Sequence, residues 1–522
     1  MKRSILSTRN IHSTRSIQII NLFTAAAAGT LFLSTLFLST LFLSCNKLQE
    51  NPSSAIVSSQ FYKTQADALA AVSAVYSTLN SDPAGDFPIY GRNLNLLIGN
   101  GSDDQVYSPS NTNPDVRALG TATYVSSNDR VHKSWQQHYY GISRANVAID
   151  NIPAINFDTA QRARLVREAK FIRALLYFNL VRLHGSVPLI LHDPSTVEVN
   201  SLLVARASAD SVYAQIISDL SDAVNLPATY SGADIGRATS GAAHALLAKV
   251  YVNRQDWTNA RTQLLQVLTA STFAGATGNY GYDLFANFKD AFQQATKNGK
   301  EHVFSVQFGT NLGAANSTQY LSSGDFASFN PAVYAGDLPA DSTLYQLFDP
   351  ADTRRAVTFF TTQVNAATGA TVNFGAPRFA KFIDYSISPL TNQAISGINF
   401  PVIRYADVLL LYAETLNELN GGPTADAYTA INKVRTRANI ANLTAGLDQS
   451  DFRDSVFLER RKEFIQESNR WFDLSRRGGS YLYNALKTLP AKTGASLKDT
   501  LYPIPLTEIQ LDAKLTQNPG WQ

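Results

Sequence analysis

The sequence predicts a mainly α protein: a scaffold of stacked helical pairs that carries long loops and a few short strands. Three observations predict it. Apolar residues recur every three or four positions over several long segments, as one face of a helix requires. Two stretches read as complete helix–turn–helix pairs, "SGAAHALLAKVYVNRQDWTNARTQLLQVLTA" at 240–270 and "VLLLYAETLNELNGGPTADAYTAINKVRTRA" at 408–438. Between them, residues 271–400 lose the helical period and turn rich in Gly, Thr, Asn and Phe/Tyr, which suits loops and short strands.

The elements follow in order. "QADALAAVSAVYSTLN" at 65–80 is an Ala/Leu-rich helix with Leu69, Val72, Val75, Tyr76 and Leu79 on its apolar stripe. The Gly-, Pro-, Asn- and Asp-rich run at 81–115 reads as a long loop with its own aromatics. Helices return at "SWQQHYYGISRANVAIDNI" and at "TAQRARLVREAKFIRALLYFNLVRLHG", which Gly185 stops and Pro188 follows. A further helix covers "ADSVYAQIISDLSDAVNLP". In the first pair the turn falls at Asn253–Asp256. Ala248 and Ala260 leave room for close approach, and Tyr251, Leu264 and Val267 sit at tetratricopeptide-like spacings. The "NGGP" breaker turns the second pair. Such pairs bury their apolar faces only by stacking on neighbours. "EHVFSVQF" alternates as a strand does, and "RFAKFIDYSI" reads as a second one.

Composition narrows the function. The chain has 522 residues, 45% hydrophobic and 16% charged, which suits a folded core. The net charge is +3, but Lys2, Arg3, Arg9 and Arg15 lie in residues 1–44 with no acid. Subtracting their +4 leaves −1, so the folded part has no basic excess for nucleic acid. From Ser16 to Asn46 no charged residue appears, and the segment ends at Cys45, the single cysteine. A basic start followed by an apolar stretch is a secretory leader, and its length also allows, as the lesser alternative, an uncleaved membrane span. "FLSC" resembles a lipobox, with Ser44 at the small position and Phe42 where leucine is usual. The resemblance implies cleavage before Cys45 and acylation of its thiol. "NKLQENPSS" behind it has the polarity of a tether.

Together, "LVREAKFIRALLYFNLVRLHGSVPLI", "SGAAHALLAKVYVNRQDW", "PVIRYADVLLLYAETLNEL", "INKVRTRA", "LERRKEFIQESNRWFDLSRRG", "YPIPLTEIQ" and "QNPGW" resemble the SusD/RagB family of Bacteroidetes outer-membrane lipoproteins, in order and over most of the mature chain. The resemblance implies a lipid-anchored, cell-surface nutrient receptor facing the exterior. It would capture oligosaccharides or polysaccharides and deliver them to a SusC-like TonB-dependent transporter, without catalysis or cofactor. Peptide or glycoprotein-fragment cargo, and a structural lid, stay open as alternatives. The expected organisation is a signal peptide at 1–44, a tether at 45–60, an N-terminal helical region at 61–270 with a long loop at 82–130, and a C-terminal region at 271–522. That last region holds the loop-rich insert 271–400 and helical pairs at 401–475.

No HExxH, GxSxG or phosphate-binding loop appears, and the seven histidines are scattered, so no metal is expected. Glu459, Glu463 and Glu467 share a helix face beside Arg460, Arg461 and Arg470. That pattern, like Arg404, Asp407 and Glu414, predicts a structural ion-pair network. Trp135, Trp257, Trp471 and Trp521 are expected in packing. Sugar recognition needs an aromatic face and planar polar groups, and the loops supply them. Expected ligand contacts are Tyr90, Arg92, Asn93, Asp104, Tyr107 and Asn111 from residues 82–115, and Tyr320 from 309–335. Replacing Cys45 by Ala removes the only acylation site and is expected to move the protein from the membrane pellet to the soluble fraction after a carbonate wash. Retention in the pellet would point to the uncleaved span.

Overall fold

The computed structural model describes residues 61–81, 88–109, 111–194, 198, 202–309, 337–364, 368–387, 396–478 and 480–521. Cys45, Tyr320 and the expected leader and tether up to residue 60 lie outside them.

Helix α1 (Gln65–Ser77) is started by a capping box: the Thr64 side chain accepts from the Asp67 N–H while the Asp67 carboxylate receives the Thr64 N–H. In the run at 81–115, expected as loop, residues 89–100 and 105–107 form regular elements. Gly91, at φ +96°, turns the chain into α2 (Leu94–Asn100). Strand β1 (Gln105–Tyr107) and helix α3 (Pro114–Thr121) follow. The physical reason is tertiary: Leu94, Leu96, Leu97 and Ile98 are all buried, and that burial outweighs the Asn and Gly loop signals. Helices α4 (Asp129–Asn151) and α5 (Thr159–His184) form an antiparallel pair, and α5 also packs on α1 and α6 (Ala209–Ala223). Gly185, at φ +72°, ends α5 as its sequence implied.

The two tetratricopeptide-like pairs form where expected. Helix α7 (Ser240–Asn253) and α8 (Trp257–Val267) are capped by Thr239 and Asp256, so the four-residue turn is a helix stop followed at once by an N-cap. Ala248 and Ala260 are fully buried. Between the pairs, β2 (His302–Val306), β3 (Asp337–Pro339), β4 (Phe359–Val364), β5 (Thr371–Phe379) and β6 (Phe400–Arg404) make two-stranded antiparallel ladders: β1 with β3, β2 with β6, β4 with β5. "RFAKFIDYSI" is not a strand of its own. It is the end of β5 followed by turns, because the chain bends inward after Phe379 to bury Lys381. The second pair is α9 (Tyr405–Asn420) and α10 (Ala425–Arg437), with Gly421 in the left-handed region at the stop of α9. Helix α11 (Gln449–Phe464) packs across α9, and α12 (Arg470–Arg476) follows it.

What joins the insert to these helices is charge. Arg404, 1% exposed, closes β6. Its guanidinium donates to Glu463 at 2.8 Å and to Glu467 at 2.7 and 2.9 Å, and it also pairs with Glu301. Arg437 holds Glu301 and Glu463, Lys381 holds Glu467, Arg354 holds Asp352, Glu459 and Glu463, and Arg435 holds Glu459. Five cations meet five carboxylates. A second group pairs Asp407 with Lys249 and Arg460, and Asp473 and Glu414 with Arg476. A structural network is present, but its partners differ from the expected ones: Glu459, Glu463 and Glu467 are met by Arg354, Arg404, Arg435, Arg437 and Lys381, whereas Arg460 pairs with Asp407 and Asp473, and Arg461 and Arg470 with Asp103 and Asp104.

Burial alone would raise the Glu463 carboxyl, but Arg437, Arg404 and Arg354 outweigh it and hold the pKa below the usual range. Asp407 is also buried, and Lys249 and Arg460 bring it to about 2. Their unfolded values are about 4. A carboxyl depressed in the folded state stabilises it above the unfolded pKa and loses that contribution as pH falls through the folded one. The urea midpoint is therefore expected to stay level from about pH 7 to 5 and to fall between about pH 4 and 2. A midpoint that is level through pH 2 would remove the network from the stability of the fold. Replacing Glu463 by Gln strands buried guanidinium charge and should cost about 3–5 kcal/mol in denaturant unfolding.

Candidate functional site

The side chains expected to contact ligand mostly point inward. Tyr90 is 3% exposed. Its ring packs on Phe400 at 5.6 Å and its hydroxyl accepts from Asn179 at 3.0 Å. Burial pushes its pKa up to about 12. Arg92 is buried, and Asn93 is fully so, donating to the Gln137 side chain at 2.9 Å. Asp104 takes the Arg461 guanidinium at 2.7 Å, and its neighbour Asp103 takes Arg470 at 2.7 and 2.8 Å. These acids anchor the segment after α2 to the C-terminal helices. Asn111 is buried and accepts from the Asn113 N–H at 2.9 Å, an Asx turn before α3. These five side chains, expected at the ligand, are instead turned into the core. Tyr107 differs. It is partly exposed, with Arg117 over its ring at 5.4 Å. Of the tryptophans, Trp135, Trp471 and Trp521 pack in the core as expected, and Trp257 is half-buried.

The described residues hold a better candidate in the insert. A cleft of about 620 Å³ opens between the 288–296 segment and residues 380–386, with Ala356 and Val357 at its side. Such a volume suits a small ligand. Its floor is Phe292, packed edge-on against Phe382 at 5.4 Å. At its mouth Tyr385 is 59% exposed, and Gln293 and Lys289 are exposed beside it.

The position of Tyr385 follows from the residue before it. Asp384 is 3% exposed and receives Gln294 Nε2 at 2.6 Å, the Ser386 N–H at 3.0 Å and hydroxyl at 2.5 Å, and the Ser396 hydroxyl at 2.6 Å. With Asp384 drawn inward by those donors, its neighbour stands outward. Lys381 fixes the other end of the turn: it donates to Glu467 at 2.9 Å and to the Glu463 carbonyl at 3.0 Å. The cleft thus offers an outward aromatic on a clamped turn, with an amide and an ammonium on the facing 288–296 segment. One carboxylate lines it, and that carboxylate already accepts from protein donors.

Fold and cleft together define a class: a tetratricopeptide-like helical scaffold carrying a small-ligand cleft in a loop-rich insert. Comparison places it within a family. The chain belongs to the SusD/RagB family: the family model described as "SusD family" matches residues 350–521, and the model described as "Starch-binding associating with outer membrane" matches residues 95–252. A SusD-like protein, P2, of Formosa agariphila is 29% identical over 514 residues, covering 91% of this chain and 97% of that protein. A SusD superfamily protein from Parabacteroides distasonis superposes with a TM-score of 0.76 at 26% identity, covering 87% of this chain and 99% of that one. A laminarin-binding SusD-like protein superposes with a TM-score of 0.72 at 27% identity over 88% of this chain and 100% of its own.

Tyr385 was missed at the sequence level because it lay within an expected strand. A signal was present: in "DYS" the acid Asp384 is followed two positions on by Ser386, whose N–H and hydroxyl hold it as an Asx turn does. Tyr90, conversely, is expected to behave as core: Tyr90→Ala should lower stability by about 3–5 kcal/mol in denaturant unfolding. A melting profile unchanged from the parent would return Tyr90 to the surface.

Proposed function

We propose that this protein is a non-catalytic cell-surface receptor. It captures oligosaccharides or polysaccharides and delivers them to a SusC-like TonB-dependent outer-membrane transporter. Residues 1–44 direct export, Cys45 carries the lipid, and residues 45–60 tether a binding body that faces the exterior. The observation that carries the reading is the outward Tyr385 in a cleft with Gln293 and Lys289. An aromatic ring covers the apolar face of a pyranose, while amide and ammonium groups meet its hydroxyls. The family context agrees: one matching model is described as starch-binding, and a similar solved protein binds laminarin. Tyr107 and Tyr320 remain proposed contacts from the sequence-derived set.

Titration calorimetry of residues 46–522 against laminarin-type β-glucan oligosaccharides and malto-oligosaccharides tests the reading. Saturable heat with the oligosaccharide intact afterwards is expected. Degraded oligosaccharide would replace the receptor by an enzyme, and silence across a broad glycan panel would put peptide cargo or a structural lid first. Tyr385→Ala is expected to weaken binding about tenfold, roughly 1.4 kcal/mol, with an unchanged melting midpoint. Unchanged affinity would place the glycan elsewhere.

A further inference from the structure

Arg182, near the end of α5, is a cation with no ion-paired carboxylate among the described residues, although Asp473 and Asp407 lie near enough to favour its charge. Its guanidinium lies between two rings, 3.7 Å from the Phe178 centroid and 3.5 Å from the Phe472 centroid. Nε donates to the Phe178 carbonyl at 3.0 Å and one terminal nitrogen to the Asn179 side-chain oxygen at 2.8 Å. A guanidinium has five N–H donors, and no other bond from Arg182 forms among the described residues. Burial lowers its pKa to about 10, so the charge persists at neutral pH.

The surroundings do not neutralise it. Lys249, Arg460 and Arg476 face Asp407, Glu414 and Asp473, three charges against three, all ion-paired. Arg182 adds a fourth cation to that group. Aromatic faces attract a cation but carry no net charge, and Arg182 and Lys249 are only partly exposed, so water screens the extra charge incompletely. Two small cavities adjoin it, about 20 Å³ each, both lined by Arg182, Lys249, Asn469 and Phe472; Glu467, already paired with Arg404 and Lys381, also lines the first, and Asp473, already paired with Arg460 and Arg476, the second. Lys249 Nζ donates to Asp407 and, at 3.3 Å, to Asn469, which leaves one of its three donors spare. Cavities of this size admit about one water-sized guest, which excludes sulfate, phosphate and carboxylates.

We propose that a chloride ion occupies the cavity between Arg182 and Lys249 and completes the charge balance where α5 meets α12. The ion would accept from the free edge of the guanidinium and from the spare ammonium proton. It would couple the N-terminal helices to the C-terminal signature helix.

Crystals of the full-length protein soaked in bromide test the site directly, since bromide replaces chloride and scatters anomalously. An anomalous peak between Arg182 and Lys249 is expected. Its absence, with bromide found at surface sites, would overturn the proposal in favour of water. In solution, chloride replacing gluconate at constant ionic strength should raise the melting midpoint saturably by about 2 °C, and Arg182→Met should abolish the rise. A crystal peak without that rise would mean binding at crystal concentration only and would equally overturn it. If Arg182→Met does not fold, the bromide map and the chloride dependence of the parent protein still decide.

Discussion

Arg404 is the residue on which the rest of the structure depends. It closes the β2–β6 ladder and reaches Glu301, Glu463 and Glu467, one acid from the insert and two from the C-terminal signature. No apolar contact could make that connection so specifically. Desolvating an arginine and its acids is expensive, and the cost is recovered only when all partners are in place. The network therefore acts as a condition on the fold: the insert, the second helical pair and α11 either meet in one register or leave charges stranded. Phe288, Phe292 and Phe464 pack around the guanidinium within 4.9–5.7 Å, keeping water from the pairs they enclose.

The candidate cleft inherits its rigidity from the same source. Glu467 is shared by Arg404 and Lys381. Lys381 begins the turn that continues through Phe382 and Asp384 to Tyr385. The stack of Phe382 on Phe400, at 5.6 Å and nearly parallel, ties the turn back to β6. An aromatic platform held this way loses little freedom on binding, and preorganisation is what turns a modest contact area into affinity.

Most of the helical scaffold was legible in the sequence, because helix pairs declare themselves locally. The Asn253–Asp256 turn and the "NGGP" breaker mark where the observed helices stop and restart, and Thr239, Asp256 and Thr424 are the caps found there. The ion network was legible in kind, since acids and arginines at helical spacing in otherwise apolar segments have few places to go but toward one another. What could not be read was direction. Asn93 and Asp104 sit in a run with every mark of a surface loop, yet Gln137 and Arg461, 44 and 357 positions away, draw them inside. Tyr385 points outward because Asp384 is held by Gln294, 90 positions distant. Local propensity carries no information on such pairings, and whether a polar loop residue serves ligand or core is decided by them.

The contrast between the two environments bears on what a receptor of this kind must do. The network residues are enclosed, multiply paired and costly to disturb, so they suit permanence. The cleft exposes one aromatic and leaves Gln293 and Lys289 at the surface, so a guest there keeps much of its hydration and forms few bonds. Affinity among related interfaces is set chiefly by the rate of departure, and an open platform allows fast departure where an enclosed cavity does not. Under the proposed function, cargo handed to a transporter must be captured and released at the same site. A firmly held turn carrying a shallow aromatic face meets both demands: the scaffold supplies the order before binding, and the small number of contacts lets the cargo leave.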